Sequence, residues 1–349
     1  MIEAKNLSKH FKTLKKEPGF LGAVKGLFSR KYDVKKAVDG ISFEIDKGEM
    51  VGYIGANGAG KSTTIKMMTG ILTPTSGECT VGGLIPYKNR QKNARQIGVV
   101  FGQKTQLWWD LPLSETFSIL KEIYRVEEKA FNERYAFLDE VLGLKEFLSS
   151  PVRTLSLGQR MRADLASALL HNPSVLFLDE PTIGLDVVVK EKILAAIKNI
   201  NKEYGTTLIL TTHDMADIEE LCSRIIIIDE GQIMFDGSLE EIKNRYGYNR
   251  ILKMEARNHQ EFSDFPLGQK LGLGEKDIRH WLEDGSLFVR FDRRKTTAAS
   301  ILDLTLKPFG VMDMSIQETP IEDIVKQLYK KGLREEGAES GPPREGPHD

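Results

Sequence analysis

The stretch "MVGYIGANGAGKSTTIKMMTGIL", residues 50–72, constrains this chain more than any other. Val51 to Ile54 read as a strand and Gly55 to Gly60 as a turn of glycines and small residues. Lys61 then opens a helix with apolar residues at Ile65, Met68 and Leu72. Gly55 with Gly60, Lys61 and Ser62 fits the P-loop pattern in the strand, loop, helix context it requires. The physics is direct: the loop residues Gly55, Asn57, Gly58 and Gly60 let backbone N–H groups close around phosphate oxygens, and the helix N-terminus adds partial positive charge. Lys61 supplies a full charge. Ser62, followed by Thr63, offers a hydroxyl to a Mg²⁺ ion bridging the terminal phosphates. A glycine-rich turn that only tightens a strand-to-helix join is the bland alternative, and the Lys-Ser pair argues against it.

"NPSVLFLDEPTIGLD" carries the complementary chemistry. Val175 to Leu178 suit a central parallel strand buried on both faces. Asp179 and Glu180 then fall at its carboxyl end, where open α/β sheets place their ligands. Asp179 is suited to hold Mg²⁺ through water, and Glu180 to orient and deprotonate an attacking water. Two adjacent acids alone are weak evidence, because a solvated loop end explains most such pairs. Beside a P-loop they become specific.

With these motifs the chain resembles the ATP-binding subunits of ABC transporters over about its first 240 residues. "TLSLGQRMRADLASALL" resembles the family's signature segment, with Leu157 where a glycine is commoner and Ser156, Gly158 and Gln159 at the key positions. Independently of the family, Ser156 and Gln159 have the spacing of a capping box that opens a helix. The resemblance implies that this segment closes over ATP held by the opposite subunit, so that two such domains sandwich two nucleotides. It also implies that Gln103 senses Mg²⁺ and the attacking water, and that Asp186 communicates across the dimer. By the same resemblance His213 contacts the γ-phosphate, and Tyr32 stacks on adenine. Ala56 replaces a commoner proline in the phosphate loop, where only backbone donors are needed. The fold class expected is α/β, a P-loop NTPase of the ABC type with a helical subdomain, plus a small C-terminal α+β domain.

A length of 349 residues suits one large domain and one small one. The expected organisation is an ATP-binding domain over residues 1–240, with a helical subdomain over about 104–170. A small α+β domain over 248–331 serves dimerisation or regulation, and residues 334–349, rich in Gly, Pro and charge, are expected to be disordered. In the small domain "RILKMEA", "SLFVRFD" and "MDMSIQE" read as strands, and "TTAASILDLTLKPF" and "IEDIVKQLYKK" as helices. Residues 15–31 form a further expected element. After Pro18, Phe20, Leu21, Val24, Leu27 and Phe28 recur at helical spacing with Lys25, Arg30 and Lys31 around them. This amphipathic insertion helix packs on its own domain or contacts the membrane surface or a partner. Trp108 and Trp109, just before the helical subdomain, are core residues or a docking surface for that partner.

The formal net charge of −1 gives no global field toward nucleic acid, and none is expected as a partner. Cys79 and Cys222 have no metal-ligand or redox spacing, as is usual in a reduced compartment. The N-terminus lacks the basic start and apolar run of a signal peptide, and no apolar run approaches the roughly 20 residues that span a bilayer. A cytoplasmic protein, peripheral on the cytosolic face of the membrane, is expected. The leading function is an ATP-hydrolysing subunit that drives export through separate transmembrane permease subunits, working with a second copy of itself or a paralogous ATPase subunit. An importer ATPase is an open alternative, as is a soluble ABC-type ATPase in translation or DNA maintenance. The single P-loop argues against the translation type, and the short span between P-loop and signature leaves no space for the coiled coil of the DNA-maintenance type.

Overall fold

The structure, a computed structural model, describes residues 1–14, 32–102, 104–259 and 261–331. The expected insertion helix over 15–31, Gln103, the side chain of Tyr32 and the tail 334–349 lie outside the described residues. The chain divides into two compact units, Met1–Gly237 and Ser238–Asp349.

Unit 1 is built on two sheets. Strands β1 (Ile2–Leu14) and β2 (Tyr32–Ile45) pair antiparallel, and β1 also pairs with β4 (Ser76–Val81). The larger sheet has the order β5-β6-β7-β3-β8-β9. It comprises β3 (Met50–Gly55), β5 (Ile97–Phe101), β6 (Val175–Asp179), β7 (Thr207–Thr211), β8 (Arg224–Asp229) and β9 (Gln232–Ser238). Its inner strands pair in parallel, and Val175–Leu178 and Ile225–Ile228 are fully buried, because both faces of a parallel sheet are covered. One apolar core joins the two sheets, with Ile2, Val38 and Ile45 on one side and Tyr53, Ile65, Phe177 and Ile226 on the other.

Helix α1 (Lys61–Met68) follows the phosphate loop. It is shorter than the apolar spacing predicts: Thr69 caps it, Gly70 turns the chain at φ 80°, and Leu72 reaches the core from beyond the helix. After α2 (Arg90–Gln96), helices α3 (Leu113–Tyr124) and α4 (Glu128–Leu142) form a helical layer that leads into α5 (Leu157–Leu169). Helices α6 (Val187–Tyr204) and α7 (Met215–Leu221) complete unit 1. Rings tie the helical layer to the body. Tyr124 stacks on His171 with centroids 3.9 Å apart, Phe137 meets Tyr204 edge-on, and the Arg134 guanidinium lies over the Tyr204 ring.

Unit 2 runs α8 (Leu239–Tyr246), β10 (Asn249–Ala256), α9 (Leu267–Leu271), β11 (Ile278–Glu283), β12 (Ser286–Asp292), α10 (Ala298–Phe309), β13 (Val311–Glu318) and α11 (Ile321–Lys331). From β10 to β13 this is a β-α-β-β-α-β order whose strands form an antiparallel sheet, β11-β12-β10-β13. Leu252, Met254, Leu287, Val289 and Phe291 of the sheet bury against Phe262, Leu267, Ile301 and Phe309. Among the described residues no helix is long and apolar enough to cross a membrane.

The Tyr124–His171 stack carries a pH dependence. His171 Nε2 donates to the Ile97 carbonyl at 2.9 Å, which leaves Nδ1 as a buried atom without a hydrogen-bond partner. A second proton there is penalised by burial first and by the Arg134 charge second, so the ring's pKa falls from 6.5 to about 4. Above pH 6.5 both folded and unfolded His171 are neutral; between 6.5 and 4 the unfolded chain takes up a proton that the folded chain refuses, and stability falls with pH. His171→Gln is therefore expected to lose less melting temperature than the parent chain between about pH 7.5 and about pH 5, read by circular dichroism.

Candidate active site

The phosphate loop closes because its backbone meets its neighbours without side chains between them. Gly60 sits at φ 117°, and a Cβ there would stand 2.5 Å from the Ala37 carbonyl oxygen. Asn57, Gly58, Gly60, Lys61, Ser62 and Thr63 line a cavity of about 620 Å³, and Asp179 and Glu180 line it from the end of β6. Lys61 Nζ donates to the carbonyls of Gly55 at 2.6 Å and Ala56 at 3.2 Å. Burial lowers its pKa, while Glu180 and Asp179 oppose that effect. An anion brought here meets a half-buried cation and the start of α1.

The two acids are fixed differently. Asp179 Oδ1 accepts from the Thr211 hydroxyl at 2.5 Å, which leaves its second oxygen for the cavity it lines. Glu180 has a left-handed backbone, φ 56°, costly for a non-glycine residue and held by its N–H donating to the Thr211 carbonyl at 2.9 Å. Its carboxylate lies 3.1 Å from Nδ1 of His213, whose side chain is 72% exposed. His213 does not line the first cavity. It lines a second, of about 280 Å³, with Gly184, Leu185 and Asp214, and Glu180 borders both.

Ser156 caps α5 as its spacing predicts: its hydroxyl accepts from the Gln159 N–H at 3.2 Å, and its own N–H donates to Gln159 Oε1 at 2.9 Å. Gly158 is seated on α6, where a Cβ would stand 2.8 Å from Val189 Cγ1. Leu157, 36% exposed, reaches to the backbone at Gly184. Asp186 caps α6 by accepting from the Val189 N–H at 3.0 Å. None of Ser156, Gly158, Gln159 and Asp186 lines the phosphate-loop cavity of its own chain. Trp108 and Trp109 are 39% and 48% exposed, and Arg160 lies over the Trp109 ring at 5.5 Å.

Several residues of the site escaped the motif reading. Lys35, Ala37, Lys66, Ile71, Phe101, Gly102 and Lys104 also line the first cavity. The fully buried carboxylate of Asp217 accepts from Thr182 Oγ1 at 2.5 Å and pairs with Lys190 at 2.6 Å, and Lys190 also pairs with Asp214. This network ties the segment after Glu180 to α6 and to the segment after His213. Asp164, 4% exposed on α5, accepts from Thr105 Oγ1 at 2.9 Å and from the Gln106 N–H at 3.1 Å. Burial pushes its carboxyl up to about 6 against the pull of those donors. The signal for Asp164 was present in the sequence, as an acid three residues after Met161 on the apolar face of α5.

A family model described as "ABC transporter" matches residues 38–183. The linearmycin resistance ATP-binding protein of Bacillus subtilis (strain 168) is 32% identical over 304 residues, covering 87% of this chain and 97% of the relative. The methionine import ATP-binding protein of Geobacillus kaustophilus (strain HTA426) is 39% identical over 207 residues, 58% of this chain and 60% of that protein. Among solved structures, a dimeric ATP-binding cassette in a post-hydrolysis state with ADP and Pi superposes with a TM-score of 0.57 at 26% identity, covering 68% of this chain and 99% of that one. A phosphate loop, two acids at the end of a buried parallel strand and a capped signature helix, on a chain that is similar to such a relative over nearly its whole length, lead to one conclusion: the chain belongs to the ABC transporter ATP-binding proteins, the ATP-hydrolysing subunits of transporters.

Proposed function

We propose that this subunit powers export, closing with a second copy or a paralogous subunit over ATP at the cytosolic face of a membrane whose separate transmembrane subunits carry the cargo. The observation that carries the direction is the extent of the match to the resistance protein. Its 304 aligned residues exceed unit 1, which ends at Gly237, and so extend into unit 2. The 207 residues shared with the import protein are fewer than unit 1 holds. The exposed pair Trp108 and Trp109 suits docking on a membrane subunit, since large rings bury much area at little entropic cost.

In this reading Lys61 and the amides of Asn57, Gly58 and Gly60 hold the phosphates, and Ser156, Gly158 and Gln159 of the opposite subunit close over them. The oxygen-only donor set of the Ser62 hydroxyl and the Asp179 carboxylate on one cavity fits Mg²⁺. When bound, that ion neutralises charge on the terminal phosphates. Glu180 accepts a proton from the attacking water as its oxygen bonds to the γ-phosphorus and the bond to the ADP oxygen breaks. His213, 3.1 Å from the Glu180 carboxylate, orients that base. Gln103 and Asp186 serve as water sensor and cross-dimer contact.

Glu180→Gln is expected to lower ATP turnover by about 10²–10⁴-fold while ATP still binds, read by phosphate release and by nucleotide titration. Hydrolysis near the parent rate would overturn the role of Glu180. In cells that express the chain with its membrane subunits, accumulation of an antibiotic is expected to fall and to recover with Glu180→Gln. Energy-dependent uptake of a small solute through the same subunits, with no effect on efflux, would establish the import reading instead.

A further inference from the structure

Strand β13 closes one edge of the unit 2 sheet, and seven of its eight residues are exposed. Met312, Met314 and Ile316 are 60%, 52% and 47% exposed. Alternation puts all three on one face of the sheet. The register identifies that face: Met314 lies opposite Met254 and Ile316 opposite Leu252, both wholly buried in the core under α10. The apolar face of unit 2 therefore runs out to the rim of the sheet and continues past its cover. Leu306, on the helix packed against β13, is a further 51% exposed. Edge strands are usually blunted by charged side chains, above all lysine, by proline or by a bulge. "VMDMSIQE" has no lysine or proline; its charges are Asp313 and Glu318, and the register shift in its pairing with β10 falls at its start.

The sequence of β13 is complementary to itself in one register. Residues directly opposite in an antiparallel pair share a face. With Met314 on a two-fold axis, Met312 faces Ile316 of the second copy, Met314 faces its equivalent, and Asp313 faces Ser315, so that no like charges oppose. Moving the axis to Asp313 sets two aspartates against each other, and moving it to Ser315 sets Met312 against Glu318. Of these three alignments, only the Met314 axis both keeps like charges apart and pairs Met312, Met314 and Ile316 with apolar residues. We propose that β13 pairs antiparallel with β13 of a second copy, Met314 on the axis, joining two four-stranded sheets into one of eight. This goes beyond the ATP-driven closure of unit 1 and uses no residue of the ATP site. One strand pair is small against the about 1,600 Å² of an ordinary stable interface, so it adds to that closure rather than replacing it.

The native thiols leave the test clean. Cys79 and Cys222 are 1% and 4% exposed, and burial pushes their pKa values up to about 11 and about 12. Cα atoms directly opposite in an antiparallel pair lie about 4.5–5.5 Å apart, within the about 4.4–6.8 Å that a disulfide spans. Full-length Met314→Cys is expected to become a covalent dimer on mild oxidation, with ATP or without it, and either condition suffices. Asp313→Cys and Ser315→Cys are expected to stay monomeric alone and to crosslink when mixed with each other. Absence of the Met314→Cys dimer, in a chain that melts and hydrolyses ATP like the parent, overturns the pairing, whether β13 is then covered by the chain's own residues or by another protein. Equal crosslinking of all three variants alone also overturns it, because random collision has no register. ATP-dependent association measured by size separates the two proposals: its loss with crosslinking intact removes the closure of unit 1 and leaves this contact standing.

Discussion

The site depends on the level ends of three parallel strands. Phe101 pairs with Asp179 and Asp179 with Thr211, so β5, β6 and β7 finish in one row. The row is rigid because β6 and β7 are buried on both faces and cannot slip by a residue without turning their apolar side chains against the wrong layer. From it leave the segment toward the signature helix, the candidate base, and the segment bearing His213. The strained backbone at Glu180 is affordable only here, where the Thr211 carbonyl holds its N–H and a Cβ on Gly102 would stand 2.0 Å from its carbonyl oxygen.

What the sequence made legible was chemistry compressed into short segments. The phosphate loop, the two acids and the Ser156–Gln159 cap are each contained within a few residues, and backbone geometry alone relates their parts. The α/β class followed from the same segments, because a strand that must carry acids into a cleft must also be buried. The Thr182–Asp217–Lys190 network was not legible. Its members are brought together by the packing of α6 and α7 against the end of β6, and no local pattern marks them. The walls of the first cavity contributed by Lys35 and Ala37 belong to a different sheet from the loop they face.

In unit 2 the readable elements were those with clean alternation or a strong apolar stripe. Strand β11 sets Trp281 against Phe288 of β12 on the face opposite the core and His280 toward Phe262, so neither face looks purely apolar or polar from the sequence. Helix α9 spans only Leu267–Leu271, too short for a periodic signal. Helix α1 shows the converse error. Leu72 keeps helical spacing, but the chain has already turned at Gly70 and delivers the side chain to the core by another route.

The seating of Gly158 on Val189, with Leu157 against Gly184, links the start of α5 to the start of α6 without a gap. Close contacts of that kind contribute dispersion energy on both sides. The signature helix and the aspartate-bearing turn therefore share one seam, and any side chain placed at position 158 would meet Val189 first.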